Sequence, residues 1–365
     1  LPAKKVLEAQ RAEMAGKTAA DCGLPTISIL TPLYNTPPQF LQQFLDSVQA
    51  QTAPNWQLVL VDASDDAHAD VGRAVQARAA QDSRIVYAKI KNAGIAANTN
   101  EAAKLATGDY LALADHDDML APHAVYYMSK ALAESGVPFA YSDEALFEKT
   151  PEHPRVGHFK PDYAPDYLLC CNYAPEYLMA VNYICHLAVF KKSLFDAVGG
   201  ERPACDGAQD HDLFLRLVDE MQRSDPAAKP LHIPQVLYYW RVHAASTSGG
   251  TAAKPYVEQA AQRAVADHLT ATGRQGRVEA GLFPGTCHVV WDIPEPEPLV
   301  SILIPNKDHT DDLEKCLHSI YAKTTYENFE VIVIENNSTD PATAAYYKRL
   351  PDRYDRARVV TYKGG

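Results

Sequence analysis

Three carboxylates occupy four positions in LADHDDML, residues 113–120, directly after YLALA, a run that reads as a buried strand. In an extended segment side chains alternate, so Asp115 and Asp117 are expected on one side and His116 and Asp118 on the other. Two carboxylates facing one crevice repel each other unless a cation takes their oxygens. A hard divalent ion such as Mn or Mg suits that donor set. The competing reading makes Asp118 the cap of a helix starting near Pro122, where proline suits the first turn. An EF-hand loop is excluded, because no glycine stands at its sixth position and Tyr126 occupies the place of its twelfth-position glutamate. A separate acid stands in GAQDHDLFLRL, 207–217, which reads as a helix with Leu213, Phe214 and Leu217 on its apolar face and Asp210 at its start. The helix dipole favours an ionised carboxylate there, and such a group can accept a proton from a hydroxyl. The plain alternative is an ordinary helix-start acid. Asp212, four residues before Arg216, reads as an i, i+4 ion pair.

The elements around these acids follow from hydrophobic period. TISILTPLYN (26–35) gives a strand expected to end at Pro32, since proline breaks a central ladder. FLQQFLDSVQAQ (40–51) repeats apolar residues at helical spacing, and WQLVLVDAS (56–64) is a second buried strand. A helix near 67–80, a strand RIVYAKI (84–90), a helix near 96–106 and the strand YLALAD (110–115) continue the alternation. Such alternation predicts an α/β fold with a mostly parallel, Rossmann-like sheet covered by helices on both faces. Ligands sit at the carboxyl ends of such strands. Residues 32–35, 62–66 and 115–118 all fall at those ends and are expected to share one crevice.

The chain has 365 residues and 47% hydrophobic content, enough for one full domain and part of another. An internal repeat supplies the second: LVSILIPNKDHTDDLEKCLHSIYAKTTYENFEVIVIENNSTD echoes the start, with Ser28 matching Ser301, Pro32 matching Pro305 and Trp56 matching Phe329. The second copy ends at YKGG without reaching an acidic segment, so it is not expected to carry a complete site. IPEPEPL (293–299) reads as a semi-rigid linker between the copies. A net charge of −12 argues against a general nucleic-acid binder, which needs a basic surface. Seven scattered cysteines without a CxxC pair fit neither a zinc site nor a disulfide framework, and predict a reducing cytoplasm. The longest apolar run, 177–190, is interrupted by Asn182 and His186 and is too short to span a bilayer. The start, LPAKKVLEAQ, has no apolar signal region and suggests a trimmed chain.

Taken in order, SILTPLYN, VDAS, NAGIAANTNEAAKLATGDYLALADHDD, YSDE, FKPD, NYICHL, GAQDHDLFLRL and HIPQVLYYWRVHAAST resemble the family 2 glycosyltransferases of the GT-A fold. More narrowly, they resemble the two-domain bacterial enzymes that build surface polysaccharides, with the second domain truncated. The match runs from about residue 25 to 250 and resumes at 299. It implies a helical lead-in over 1–24, a GT-A catalytic domain over 25–250, a helical and extended connector with the Pro-rich linker over 251–298, and the first part of a second GT-A-like domain over 299–365. It implies a nucleotide diphosphate sugar donor, UDP- or dTDP-linked, with Pro32, Tyr34 and Asp62 holding the nucleoside. A carboxylate at 62 can accept the imide N–H of uracil or thymine. The family often reads DDGS or DDAS at that point; this chain has Asp-Ala-Ser, and a turn acid is the alternative role.

The same resemblance assigns further roles. Gly94 and Asn100 match a glycine and an asparagine on the donor side, where Gly94 allows close backbone approach and Asn100 can equally cap a helix. Asp115 belongs with the donor, Asp117 with a Mn or Mg ion, and His243 completes that ion's shell. Lys160 and Arg241 meet the diphosphate, with surface or core-edge cations as the alternative. Asp143, Glu144, His186 and Trp240 fall on the acceptor side, and core packing is the competing reading for His186 and Trp240. AASTSGG, 244–250, has the composition of a closing lid or of a plain linker. Asp210 matches the catalytic base of an inverting displacement onto a glycan or lipid-linked glycan acceptor. The setting implied is cytoplasmic, with peripheral association at the bacterial inner membrane. The competing class is a non-catalytic nucleotide- or sugar-binding module of the same fold. A sugar-1-phosphate nucleotidyltransferase would want a Gly-rich loop after the first strand, and TPLYNTPP has no glycine.

Overall fold

The buried run Ile27–Leu33 forms β1, and the proline within it does not end it. In the computed structural model, which describes residues 2–163, 175–243 and 255–362, Pro32 pairs with Val61 of the next strand and the ladder continues to Leu33. The reason lies in the alternation of a parallel ladder. Leu30 O accepts from Ala114 N on one side, whereas Leu33 O accepts from Ala63 N on the other. Pro32 therefore faces the side of Leu30, where the neighbouring strand has already stopped at Leu113, and its missing N–H costs no bond.

The chain divides into two compact units, Leu1–Trp291 and Asp292–Gly365. In chain order the first carries α1 (Lys4–Met14), β1, α2 (Pro38–Gln49), β2 (Trp56–Asp62), α3 (Ala69–Ala79), β3 (Ile85–Lys89), α4 (Ile95–Leu105), β4 (Tyr110–Leu113), β5 (Met119–Leu120), α5 (Ala124–Ser135) and β6 (Phe139–Phe147). It continues with β7 (Val156–His158), α6 (Pro175–Ala180), β8 (Ala188–Lys191), α7 (Lys192–Ala197), α8 (Gln209–Ser224), β9 (Leu231–Arg241), α9 (Pro255–Ala271), β10 (Gly276–Ala280) and β11 (Cys287–Trp291).

Among the described residues, the main sheet runs β3-β2-β1-β4-β8-β6-β9-β5, with β7 beside β6. The parallel order expected from the alternation holds over β3-β2-β1-β4. Beyond it the sheet is mixed: β8 runs antiparallel to both β4 and β6, while β9 runs parallel to β6. The carboxyl ends of β1, β2, β4, β6 and β9 and the start of β8 consequently share one edge. Both faces are covered. Ile29 and Leu33 join the core beneath α2, α3 and α5, with Phe44, Val48 and Val75. Leu30 points the other way, into the core of α4, α8 and α9, with Phe214, Leu217 and Val265.

The second unit repeats the start of this plan with β12 (Val300–Asn306), α10 (Thr310–Lys323), β13 (Phe329–Glu335), α11 (Pro341–Arg353) and β14 (Ala357–Thr361), its strands all parallel. Val300 pairs with Phe329 as Ile27 pairs with Trp56, so the repeat seen in sequence is also a repeat of register. Among the described residues no helix is long and apolar enough to cross a membrane.

Candidate functional site

At the shared edge, the first unit opens a cleft of about 640 Å³. Its acidic wall is the segment after β4, and that segment is a turn. Asp118 N donates to Asp115 O at 3.3 Å, so the alternation expected of an extended strand does not apply across 115–118. Asp118 is buried, accepting from Tyr238 Oη at 2.7 Å and from Arg241 N at 2.6 Å. It does not cap α5, whose N-cap position is His123 without a side-chain bond. Tyr238 ties the turn together, because its hydroxyl also accepts from Asp115 N at 3.0 Å.

The two remaining acids each meet a histidine. Asp117 Oδ2 lies 2.7 Å from His243 Nε2, two residues past β9. Asp115 Oδ2 lies 3.5 Å from His186 Nε2, two residues before β8. His186 stacks on Tyr238 at 4.6 Å, with Trp240 edge-on beyond it. Burial pushes the His186 pKa down, but the charges of Asp115, Asp118 and Glu144 outweigh it and raise it to about 9. Burial works to raise Asp115, and the bond to His186 overrides it, leaving that carboxyl below its ordinary value. Burial and the neighbouring charges of Asp115 and Asp117 push Asp118 well up. Ligand atoms of Asp115, Asp118 and His186 all lie within 4.8 Å of one another. A mainly carboxylate set with imidazole nitrogen beside it fits a small hard dication such as Mn or Mg.

The same cleft is lined by Asp210, in the first turn of α8. Asn182 Nδ2 donates to its Oδ2 at 2.8 Å, and His211 N donates to its Oδ1 at 2.9 Å. The two bonds fix the orientation of the carboxylate at the helix start. The apolar face behind it, Leu213, Phe214 and Leu217, is fully buried and fixes the helix. Gly94 also lines the cleft, with φ +97°, and the group approaching it closely belongs to the protein. A Cβ there would lie 2.2 Å from Asp206 Oδ2, while Asp206 Oδ1 accepts from Ala96 N at 3.0 Å and so caps α4.

The cleft thus gathers Pro32 and Tyr34 from the end of β1, Gly94 before α4, and Asp115 and Asp117 after β4. His186, Asp210 and Trp240 complete its walls. The other sequence-selected residues are not among its lining. Asp62 is buried at the end of β2, accepting from Ser64 N, Tyr87 Oη and Lys89 Nζ. Burial opposes its ionisation, yet these donors hold it below the ordinary aspartate value. Asn100 is engaged with the backbone of Glu201, donating to its O at 2.8 Å and accepting from its N at 2.9 Å. Arg241 is buried with its guanidinium between the rings of Phe40 and Phe147, at 4.4 and 4.5 Å, and its Nε donates to Asp117 O.

Asp143 and Glu144, matched to the acceptor side, lie inside β6 and are buried. Asp143 Oδ1 accepts from Lys160 N at 2.8 Å and meets His232 Nε2 at 2.9 Å. Glu144 pairs with Lys160 at 3.2 Å and with His158 at 3.0 Å. Lys160 Nζ also donates to Ile184 O at 2.5 Å and to His186 O, which uses all three of its protons. This network braces the segment that carries His186 into the cleft. The tract 244–250, read as a closing lid or a plain linker, lies outside the described residues. Sequence reasoning missed Tyr238, Asn182 and Glu201. Their partners lie far away in sequence, and only the long-range contacts reveal them.

Comparison with known proteins fits this geometry. The family model described as glycosyl transferase family 2 matches residues 28–175 and 301–364. An uncharacterised protein of Sinorhizobium fredii, y4gI, is 36% identical over 341 residues, covering 92% of this chain and 35% of its own length. The O-antigen biosynthesis protein RfbC of Myxococcus xanthus is 32% identical over 331 residues, covering 90% of this chain and 24% of its own length. The chain therefore spans about a third and a quarter of these two relatives. The solved structure of S. aureus TarS 1-349 in complex with UDP-GlcNAc superposes with a TM-score of 0.51 at 15% identity, covering 67% of this chain and 66% of that one. The shared architecture is the GT-A fold.

Proposed function

This chain belongs to glycosyl transferase family 2, and we propose that its first unit moves a sugar from a UDP- or dTDP-linked donor to a hydroxyl of a glycan acceptor, with inversion, in the making of a bacterial surface polysaccharide. The observation that carries the reading is that the acidic turn, with Asp115 and Asp117, and the helix-borne Asp210 line one cleft. Attack with inversion needs a leaving group on one side of the sugar and a base on the other, and a single carboxylate base without a second, nucleophilic acid suits one displacement.

Asp117 with His243, and Asp115 with His186, are the oxygen–nitrogen pairs that would hold Mn or Mg. Bound there, a dication supplies charge neutralisation to the leaving diphosphate, roughly 4 kcal/mol per unit charge at about 4 Å and an effective dielectric near 20. The remaining work belongs to the chain. Asp210 accepts the acceptor's hydroxyl proton as that oxygen attacks the anomeric carbon and the bond to the diphosphate breaks. Asn182 holds the carboxylate in place. Tyr34, half exposed at the rim, offers a ring face to the base, and Trp240 offers one to a sugar. Asp62, braced by Lys89 and Tyr87, stiffens the base end of the cleft.

The test is metal-dependent release of nucleotide diphosphate from a panel of nucleotide sugars with glycan acceptors. Replacing Asp210 by Asn removes the base and is expected to slow release by about 10²–10⁴-fold. Equal rates in the two proteins would remove Asp210 from that role. Donor binding without turnover across the panel would favour the non-catalytic module instead.

A further inference from the structure

Glu201 follows Gly199 and Gly200, is 3% exposed, and still lines the cleft. Its Oε2 is buried and has no hydrogen-bond partner among the described residues. A buried polar atom left unpaired costs about 1–3 kcal/mol, so one kept on the wall of a cleft calls for a ligand. The turn that presents it is fixed. Asn100 clamps the Glu201 backbone with one bond in each direction, as described above. Gly200 has φ +76°, and a Cβ there would lie 2.5 Å from Asn100 Oδ1, so the turn admits only glycine.

Burial pushes the Glu201 carboxyl well above the ordinary glutamate range, and the charges of Asp210, Asp115 and Asp206 push it further. The Thr99 hydroxyl donates to Ile95 O at 2.9 Å, so its one proton is already committed. A carboxyl in its protonated form presents one donor and one acceptor. A sugar hydroxyl also donates and accepts, so the two match in a paired contact. An ionised carboxylate would accept only, and would add a like charge beside the base.

Its neighbours also fix which sugar it faces. Asp115 and Asp210 line the same cleft as Glu201, and in the proposed reaction they serve the leaving-group side and the attacking side. A sugar in transfer must lie between those two sides. We propose that Glu201 is a specificity-determining residue, recognising a hydroxyl of the transferred sugar through its free carboxyl oxygen. The assignment rests on the glycosyltransferase reading and adds to it the contact that selects the sugar.

The experiment is calorimetric binding to the full chain, in manganese, of UDP, dTDP and GDP, each alone and as its hexose conjugates. For the conjugate the wild type binds best, the sugar's contribution is the affinity gained over the bare nucleotide. Replacing Glu201 by Leu should remove about tenfold of that gain and leave the bare nucleotide unchanged. Glu201→Gln, which keeps a donor and an acceptor at the same place, should stay within about threefold of wild type. A parallel loss for nucleotide and conjugate, a Gln variant as poor as Leu, or a wild type indifferent to the sugar would each overturn the proposal. Circular dichroism checks the fold, and if Leu does not fold the Gln variant decides. No binding of any nucleotide by the wild type would overturn the parent reading as well, a result distinct from failure at Glu201 alone.

Discussion

Replacing Lys160 by Met tests whether the buried charges behind the cleft hold the site. The Lys160 and Glu144 side chains are 3% and 2% exposed, with the ammonium 3.2 Å from Glu144 Oε2. Removing one partner of such a pair leaves the other charge buried, at a cost of about 3–5 kcal/mol. Two backbone carbonyls lose the same donor, but all these effects share one ammonium and do not add. His158, 3.0 Å from the other Glu144 oxygen, keeps the loss from exceeding that range. A shift of 1 kcal/mol moves the midpoint of a unit this size by about 2–4 °C, so melting should fall by roughly 6–20 °C. Urea unfolding of Lys160→Met, Glu144→Gln and the double variant measures it directly. The double variant should be more stable than Lys160→Met alone, because glutamine removes the stranded charge.

The pH dependence has a fixed sign. Burial opposes ionisation of Glu144, but His158 and Lys160 hold its pKa below the ordinary 4.5. The stabilisation is therefore present above about pH 4.5 and is lost as pH falls through the lower, folded value. The gap between wild type and Glu144→Gln should shrink in acid. A Lys160→Met variant within about 1 kcal/mol of wild type, or a double variant weaker than the single, would refute the reasoning.

Four further substitutions test the cleft and its supports. Gly94→Ala forces a left-handed backbone and a clash with Asp206 Oδ2, and should cost about 1–3 kcal/mol in a thermal melt. Asp206→Ala, which only removes the cap of α4, should cost about 1 kcal/mol by the same measurement. Asp117→Asn should weaken manganese binding at least about tenfold by calorimetry, or about 1.4 kcal/mol, while Asp62→Asn should leave it unchanged. Equal manganese affinities in all three proteins would take Asp117 out of the ion site.

The strand-helix alternation of the first 115 or so residues was legible because each element carries its own hydrophobic period. The repeat was legible because two copies share register as well as residues. What local pattern could not tell was whom a polar side chain meets. Asp143 and Glu144 look like exposed acids at a strand end, and they are buried because His232 and Lys160 arrive from 89 and 16 residues away. Asp118 resembles a helix cap and instead accepts from residues beyond β6, 120 and 123 positions on. Asn100 and Glu201 carry no shared local signal, since their bonds span 101 positions. The expectation that 115–118 stays extended failed for a related reason. The alternation of a strand holds only while a neighbouring ladder keeps it straight, and β4 ends at Leu113.

Strand direction is the deeper case, because it decides which residues can meet at all. Hydrophobic period identifies AVFK, 188–191, as buried backbone, but a parallel and an antiparallel strand have the same period. Had β8 joined β4 in parallel, His186 would stand at the opposite edge, displaced by the length of a four-residue strand, about 13 Å. Asp115 would then have no imidazole beside it. Because β8 is reversed, its first residues begin where β4 ends, and the segment braced by Lys160 delivers His186 to Asp115. The return of β6 and β9 to the direction of β4 then carries Trp240 and His243 to the same edge. A site of this kind is set by one reversal in the sheet, and the motifs supply the chemistry only after that reversal has placed them.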